Sequence, residues 1–322
     1  MDETRGTSGT AAGDTGRPDV SRLIAQCAIP HFVRGVATLE HFGGGDPLTG
    51  VLALSIIEAN VRHIVRDPVL ALRYAGVDNP PPDDIRRPIS VRALAASFSI
   101  TYDAARRRVA DLEARGLCVR TTRGVYIPAV ALETEINRLA LARSLKTVED
   151  LAADIRAAAP DFDLTGGAKP IPGFAPATSA ERLAARFIAE YVLRFAERLT
   201  RTTGDFGRGM ILIAILDANY QPLREDLETA RRYASSRNPP PDDLLAPISV
   251  LALSNQLKQP FETTRRNVNV LIRTKRCVRT PKGIIVPAQA FQTSLAREML
   301  TGNVGDIQRV FGAMARLGVT FD

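Results

Sequence analysis

The chain repeats itself at a spacing of 159 residues. "RYAGVDNPPPDDIRRPISVRALA" falls on "RYASSRNPPPDDLLAPISVLALS" without a gap, so the hexapeptide NPPPDD stands at Asn79 to Asp84 and again at Asn238 to Asp243. The match runs outward in both directions. Ile56 meets Ile215, Asn60 meets Asn219, Arg106 and Arg107 meet Arg265 and Arg266, Cys118 meets Cys277, and Gly124 meets Gly283. The ungapped register extends from about Phe32 to Thr134 in the first copy. A period this long lies far above that of solenoid repeats, so the chain is a tandem duplication of a whole unit.

A length of 322 residues also suits two domains. Residues 1–20 are rich in Gly, Thr and Asp and read as a disordered tail. A first domain is expected over 21–158 and a second over 181–322. The Pro- and Gly-rich stretch 159–180 reads as a linker.

Each unit opens with helical spacing of apolar residues, as in "LTGVLALSIIEANVRHIV" and "GMILIAILDANY". The three prolines of NPPPDD cannot continue a helix and favour an extended path, so the hexapeptide reads as a rigid spacer whose aspartates start the next turn. Next comes "ISVRALAASFSITYDAARRRVADLEARGLCVRTTRGVYIPA". Ser90 is placed as an N-cap, with Ile89 and Leu94 spaced as a hydrophobic staple, and Ile248, Ser249 and Leu253 repeat the arrangement. A short helix to about Phe98, a turn, and a second helix from about Thr101 to Gly116 follow. In the second copy Pro260 stands where this helix starts. "LCVRT" and "VYIPA" then read as strands joined at Thr122, Arg123 and Gly124.

Helix, turn, helix and hairpin resemble a winged helix-turn-helix. "TYDAARRRVADLEARGLC" and "PFETTRRNVNVLIRTKRC" are similar to the recognition helices of GntR-type and MarR-type bacterial transcription regulators. The resemblance covers Ile89 to Ala129 and Ile248 to Ala288. It departs at Lys275 and Arg276, which replace Gly116 and Leu117. It implies a mainly α fold with small β-hairpin wings, two tandem winged helix-turn-helix domains each flanked by additional helices, and double-stranded DNA as the partner.

At 100° per residue Ala105, Val109, Leu112 and Gly116 share an inner face, and Arg107 points away from it. In the second copy Thr264, Val268 and Leu271 are inner, while Glu262, Arg266, Asn269 and Arg273 point outward. Arg and Asn are the side chains that read guanine and adenine edges in the major groove, where the second helix of such a motif docks. The candidate DNA contacts in the first copy are Thr101, Tyr102, Asp103, Arg106, Arg107 and Arg108, with Arg123 at the hairpin tip. Those in the second are Phe261, Thr263, Arg265, Arg266, Asn267, Asn269 and Arg273, with Lys282 at the tip.

The position of charge favours the same partner. The whole chain carries +7. From Ile89 to Arg123 there are seven basic and three acidic residues, and from Ile248 to Lys282 eight basic and one acidic. Those segments therefore carry net +4 and +7, and the remainder is net negative. Charge gathered on two reading units suits the release of counterions from phosphates.

Other chemistries find little support. Cys118 and Cys277 read as small core residues rather than a redox pair, and three cysteines suit a reducing cytoplasm, with the protein nucleoid-associated. His31, His41 and His63 lack ligand spacing, so no metal is expected, nor any cofactor. No apolar run suggests a membrane span. No nucleophile, base and orienting group stand together as an enzyme would require. The expectation is a DNA-binding transcription regulator, with a homodimer possible. A plasmid-type replication initiator with paired winged helices and a protein-interaction scaffold are the alternatives.

Overall fold

The structure is a computed structural model that describes residues 18–173 and 179–321. It is mainly helical, with two small antiparallel hairpins. The first copy runs α1 (Ser21–Ala37), α2 (Glu40–Gly43), α3 (Pro47–Val65), α4 (Pro68–Arg73), α5 (Val91–Ser97), α6 (Tyr102–Ala114), β1 (Val119–Thr121), β2 (Gly124–Tyr126) and α7 (Glu135–Ala158). The second runs α8 (Glu181–Thr203), α9 (Phe206–Asn219), α10 (Gln221–Glu225), α11 (Leu227–Arg232), α12 (Val250–Gln256), α13 (Phe261–Arg273), β3 (Val278–Thr280), β4 (Gly283–Ile285) and α14 (Ser294–Arg316). Side-chain caps start most helices in matched pairs. Asp46 and Asp205, Asp67 and Asp226, Ser90 and Ser249, and Thr134 and Thr293 each accept a backbone N–H from the first turn that follows.

The repeated hexapeptide is a clamp between elements. Asn79 donates to the Arg73 carbonyl at the end of α4, and Asn238 donates to the Arg232 carbonyl at the end of α11. The last prolines, Pro82 and Pro241, are extended at φ −67°, ψ 163° and φ −63°, ψ 154°. Asp83 and Asp242 open a 3₁₀ turn and each accept, at 2.7 Å, the N–H of Ala129 or Ala288 beyond the hairpin. One end of the motif therefore finishes a helix, and the other fixes the chain leaving the hairpin.

The two copies are not packed side by side. Helix α1 lies against α7 of its own copy and against α9 and α14 of the other; α8 lies against α9 and α14 and also against α3 and α7. The contacts are reciprocal. The N–H groups of Arg22 and Leu23 donate to Ala234 O at 2.9 and 3.2 Å, and those of Arg182 and Leu183 donate to Ala75 O at the same distances. Ala75 and Ala234 are 159 apart, whereas Arg22 and Arg182 are 160 apart. The register therefore changes by one residue between the first helices and the caps Asp46 and Asp205. The ungapped alignment expected from Phe32 onward is corrected at this point, and the repeat reaches back to the start of α1.

One hydrophobic core runs through both copies. It joins Phe32, Leu52, Ile56, Leu94 and Ile155 to Leu183, Phe195, Ile307 and Met314. A smaller core lies under α12, α13 and the second hairpin, around Ile215, Leu253, Val268, Leu271 and Ile284. Helix α3 is long and apolar enough to cross a membrane by length and composition alone, which the sequence reading overlooked, and much of its surface is consumed by the core.

The segments read as tail and linker also make contacts. Most of the tail, and 174–178 of the linker, lie outside the described residues. Asp19 is described, and it accepts hydrogen bonds from Ser21 and from Ser235 and Ser236 of the other copy. Burial opposes its ionisation, but these hydrogen bonds outweigh that and hold its carboxyl well below the usual range. In the linker Leu164 is buried, and Ile171 N–H donates to Arg316 O at 2.8 Å. The linker backbone comes so close to α14 that a Cβ on Gly312 would meet Thr165 O at 2.6 Å.

Candidate nucleic-acid interface

Helices α5 and α6, and likewise α12 and α13, pack as pairs joined by short turns. Each turn places one non-glycine residue in the left-handed region, Ser99 at φ 51° and Lys258 at φ 50°. Ala105, Val109 and Leu112 are fully buried on the inner side of α6, as are Thr264, Val268 and Leu271 on α13. Gly116 is not on that inner face. Helix α6 ends at Ala114, and Gly116 is exposed in the following turn at φ 69°. Lys275 adopts the same conformation at φ 57°, so α13 ends in register although it lacks the glycine.

The hairpins are tied down by two interactions. Ile89 pairs with Val125 and Ile248 with Ile284, which adds a third short backbone rung to each hairpin. The approach is so close that a Cβ on Gly124 would clash with Ile89 O, and one on Gly283 would meet Ile248 O at 2.7 Å. From below, Asn60 of α3 donates to Arg87 O at 2.8 Å and accepts the Ile127 N–H at 3.0 Å. Asn219 of α9 donates to Ala246 O at 2.7 Å and accepts the Val286 N–H at 2.9 Å. Both asparagines are fully buried, and they fix the hairpin relative to the helix pair.

The predicted contacts divide into used and free side chains. Thr101 is the N-cap of α6, its hydroxyl accepting Ala104 N–H at 3.2 Å. Tyr102 and Phe261 begin the two equivalent helices and are 50% and 44% exposed, unusually open for large rings. Asp103 pairs with Arg106 at 3.7 Å, not with Arg107. The counterpart pair, Glu262 with Arg265, is closer at 2.8 Å. Arg108 is turned inward onto Asp46 at 2.9 Å, and Asn267 donates to Thr263 O within its own helix at 3.1 Å. The side chains of Arg107, Arg266 and Arg273, and of Arg123 and Lys282 at the hairpin tips, are exposed and carry no hydrogen bond or ion pair among the described residues. On α13, Glu262, Thr263, Arg265, Arg266, Asn269 and Arg273 line a shallow groove of about 280 Å³.

Exposed cations without a partner among the described residues are more numerous on the second unit, in line with its larger net charge. In the first, Arg115 and Arg120 are also held, by Asp111 at 3.2 Å and Glu113 at 3.3 Å. In the second, Lys275 and Arg279 join the exposed cations that have no partner among the described residues. The sequence reading missed these two; Arg279 was signalled by its repeat partner Arg120 on the equivalent strand. Cys118 and Cys277 are buried, and burial pushes their thiols up to about 11 and about 12, which leaves them unreactive core groups.

No protein family, curated protein or solved structure matches this chain.

Proposed function

We propose that the protein is a sequence-specific DNA-binding transcription regulator that reads two half-sites with two winged helix-turn-helix units in one chain. The supporting observation is the equivalent placement of Arg107 and Arg266. Each lies exposed on the outer face of the second helix of its pair and has no ion pair among the described residues, and the same holds for the cation at the adjoining hairpin tip, Arg123 or Lys282. A guanidinium without an internal carboxylate is available to fork onto guanine, and a tip cation is available to a phosphate. Arg108 carries less weight in this reading, because it is turned onto Asp46 at 2.9 Å.

Reciprocal contacts give one chain the arrangement that a symmetric dimer gives two. The two reading faces differ, however. Asp103, Ala110 and Ala114 flank Arg107, whereas Asn269 and Arg273 extend Arg266. The preferred site therefore has two unlike halves.

The test is binding-site selection from random DNA, followed by titration of Arg107→Ala and Arg266→Ala on selected and scrambled duplexes at several salt concentrations. Each variant should lose about 1–3 kcal/mol on the selected site and relax the preference at one base position. Arg123→Ala and Lys282→Ala should weaken all sequences alike and lower the salt slope by about one unit. Wild-type affinity and specificity in both helix variants would remove the reading and leave a protein-interaction scaffold as the better account.

A further inference from the structure

The two copies differ in a cavity they ought to share. Between α1, α3, α7 and α8 lies a cavity of about 430 Å³, and its duplicate between α1, α8, α9 and α14 holds only about 120 Å³. Three substitutions between the copies run in that direction. Gly35, Val61 and Leu132 border the larger cavity where Phe195, Tyr220 and Phe291 stand in the other copy. Tyr220 and Phe291 pack edge to face, and Phe291 carries the Arg22 guanidinium 4.4 Å from its ring centre.

The larger cavity is also the cationic one. Arg86, Arg182 and Arg186 line it, where the other copy has Leu245, Arg22 and Gln26. Arg86 is 4% exposed; its Nε pairs with Asp83 at 3.0 Å and one terminal nitrogen donates to Pro81 O, yet the other, Nη1, is buried without a partner. Arg182 is 5% exposed and both its side-chain hydrogen bonds go to the Val77 carbonyl. Arg186 has a buried Nη1 with no partner at all. Burial, and then the charges of Arg182 and Arg86, pull its guanidinium down to about 9. The carboxylates lining the cavity do not offset this, because Glu58 is held by Arg62 and Glu190 by Arg194, both at 2.6 Å, and Glu197 is exposed. Three guanidiniums around one cavity, two of them with orphaned buried donors, are costly unless an anion completes them.

We propose that this cavity is a binding site for a small organic anion, a carboxylate or phosphate monoester with an apolar body. Arg86 and Arg186 supply charge-assisted hydrogen bonds to the anionic head. Leu54, Phe98, Leu132 and Leu141 receive the apolar part. Phe98 is buried at the end of α5, so an occupant touches the base of the first helix pair. Any effect on DNA rests on the proposed function, but binding does not, and calorimetry without DNA separates the two.

The experiment titrates full-length protein with benzoate, phenyl phosphate and, as the neutral control, benzamide. Benzoate or phenyl phosphate should bind and raise the melting temperature at about 10 mM, and benzamide should not. Arg186→Gln and Arg86→Leu each install what the other copy carries, so they should fold, and each should weaken binding at least about tenfold. Gly35→Phe refills the cavity without touching charge and should abolish binding. Absence of a response to both anions in the wild type, or equal responses in wild type and all three variants, overturns the proposal. If the site communicates with DNA, benzoate should change affinity for the selected duplex about fivefold in the wild type and not in Arg186→Gln.

Discussion

Asn60 and Asn219 each satisfy backbone groups from two different segments deep under a hairpin. A side chain with one acceptor and two donors suits that task, and a carboxylate would bring a buried charge. Asn60→Ala should therefore cost about 2–3 kcal/mol in urea unfolding, because buried carbonyls and an N–H lose their partners. Asn219→Ala should cost about the same. The histidines make a second prediction at this scale. Burial lowers the folded-state pKa of His31, His41 and His63, against the opposing hydrogen bond that His31 donates to Asp154. The unfolded chain thus takes up protons more readily. Stability is complete above the unfolded value of 6.5 and is lost as pH falls from there through the folded values. Urea midpoints should drop between pH 7.5 and 5.5, and replacing all three histidines by Gln should flatten that slope.

Among elements, the paired helix ends give a direct comparison. Gly116 and Lys275 share a left-handed backbone, which costs a residue with a Cβ about 1 kcal/mol more than glycine. Lys275→Gly should raise stability by about 0.5–1 kcal/mol, and Gly116→Ala should lower it by about as much, both read from thermal or urea unfolding. Gly124 is constrained differently. Its Cβ would strike the Ile89 carbonyl, so Gly124→Ala should break the added rung and loosen the hairpin. Amide exchange at Val125, whose N–H donates to Ile89 O at 2.9 Å, would report it; unchanged protection there would show that the rung is dispensable.

For the whole molecule, the exchange of contacts by α1 and α8 means that the main core belongs to both copies. A fragment ending at 160 would expose the faces of α1, α3 and α7 that α8, α9 and α14 cover. It should not behave as a folded monomer; sizing and circular dichroism should show it aggregated or self-associated, since a second fragment could supply the missing faces. A cooperative monomeric melt would contradict the shared core. The same interlocking bears on DNA. If the two reading units are carried on one core, changing the spacing between half-sites by five base pairs, about half a helical turn, should abolish the joint affinity. Tolerance of that change would mean that the units bind independently.

Much of this molecule was legible in its sequence because the repeat printed each local signal twice. The caps Ser90 and Ser249, the helix pair, the hairpin and the inner faces at Val109 and Val268 depend on residues a few positions apart, and propensity and periodicity report such contacts directly. The outward position of Arg107 and Arg266 followed from helix geometry alone. What sequence could not show was distance in space. The pairing of Arg108 with Asp46, 62 residues away, could not be foreseen from spacing. The Arg86, Arg182 and Arg186 cluster draws on both copies, and no local spacing foretells it. The crossing of α1 and α8 was hidden for the same reason. A helix's apolar stripe states that it must be covered, and only tertiary packing decides which copy covers it.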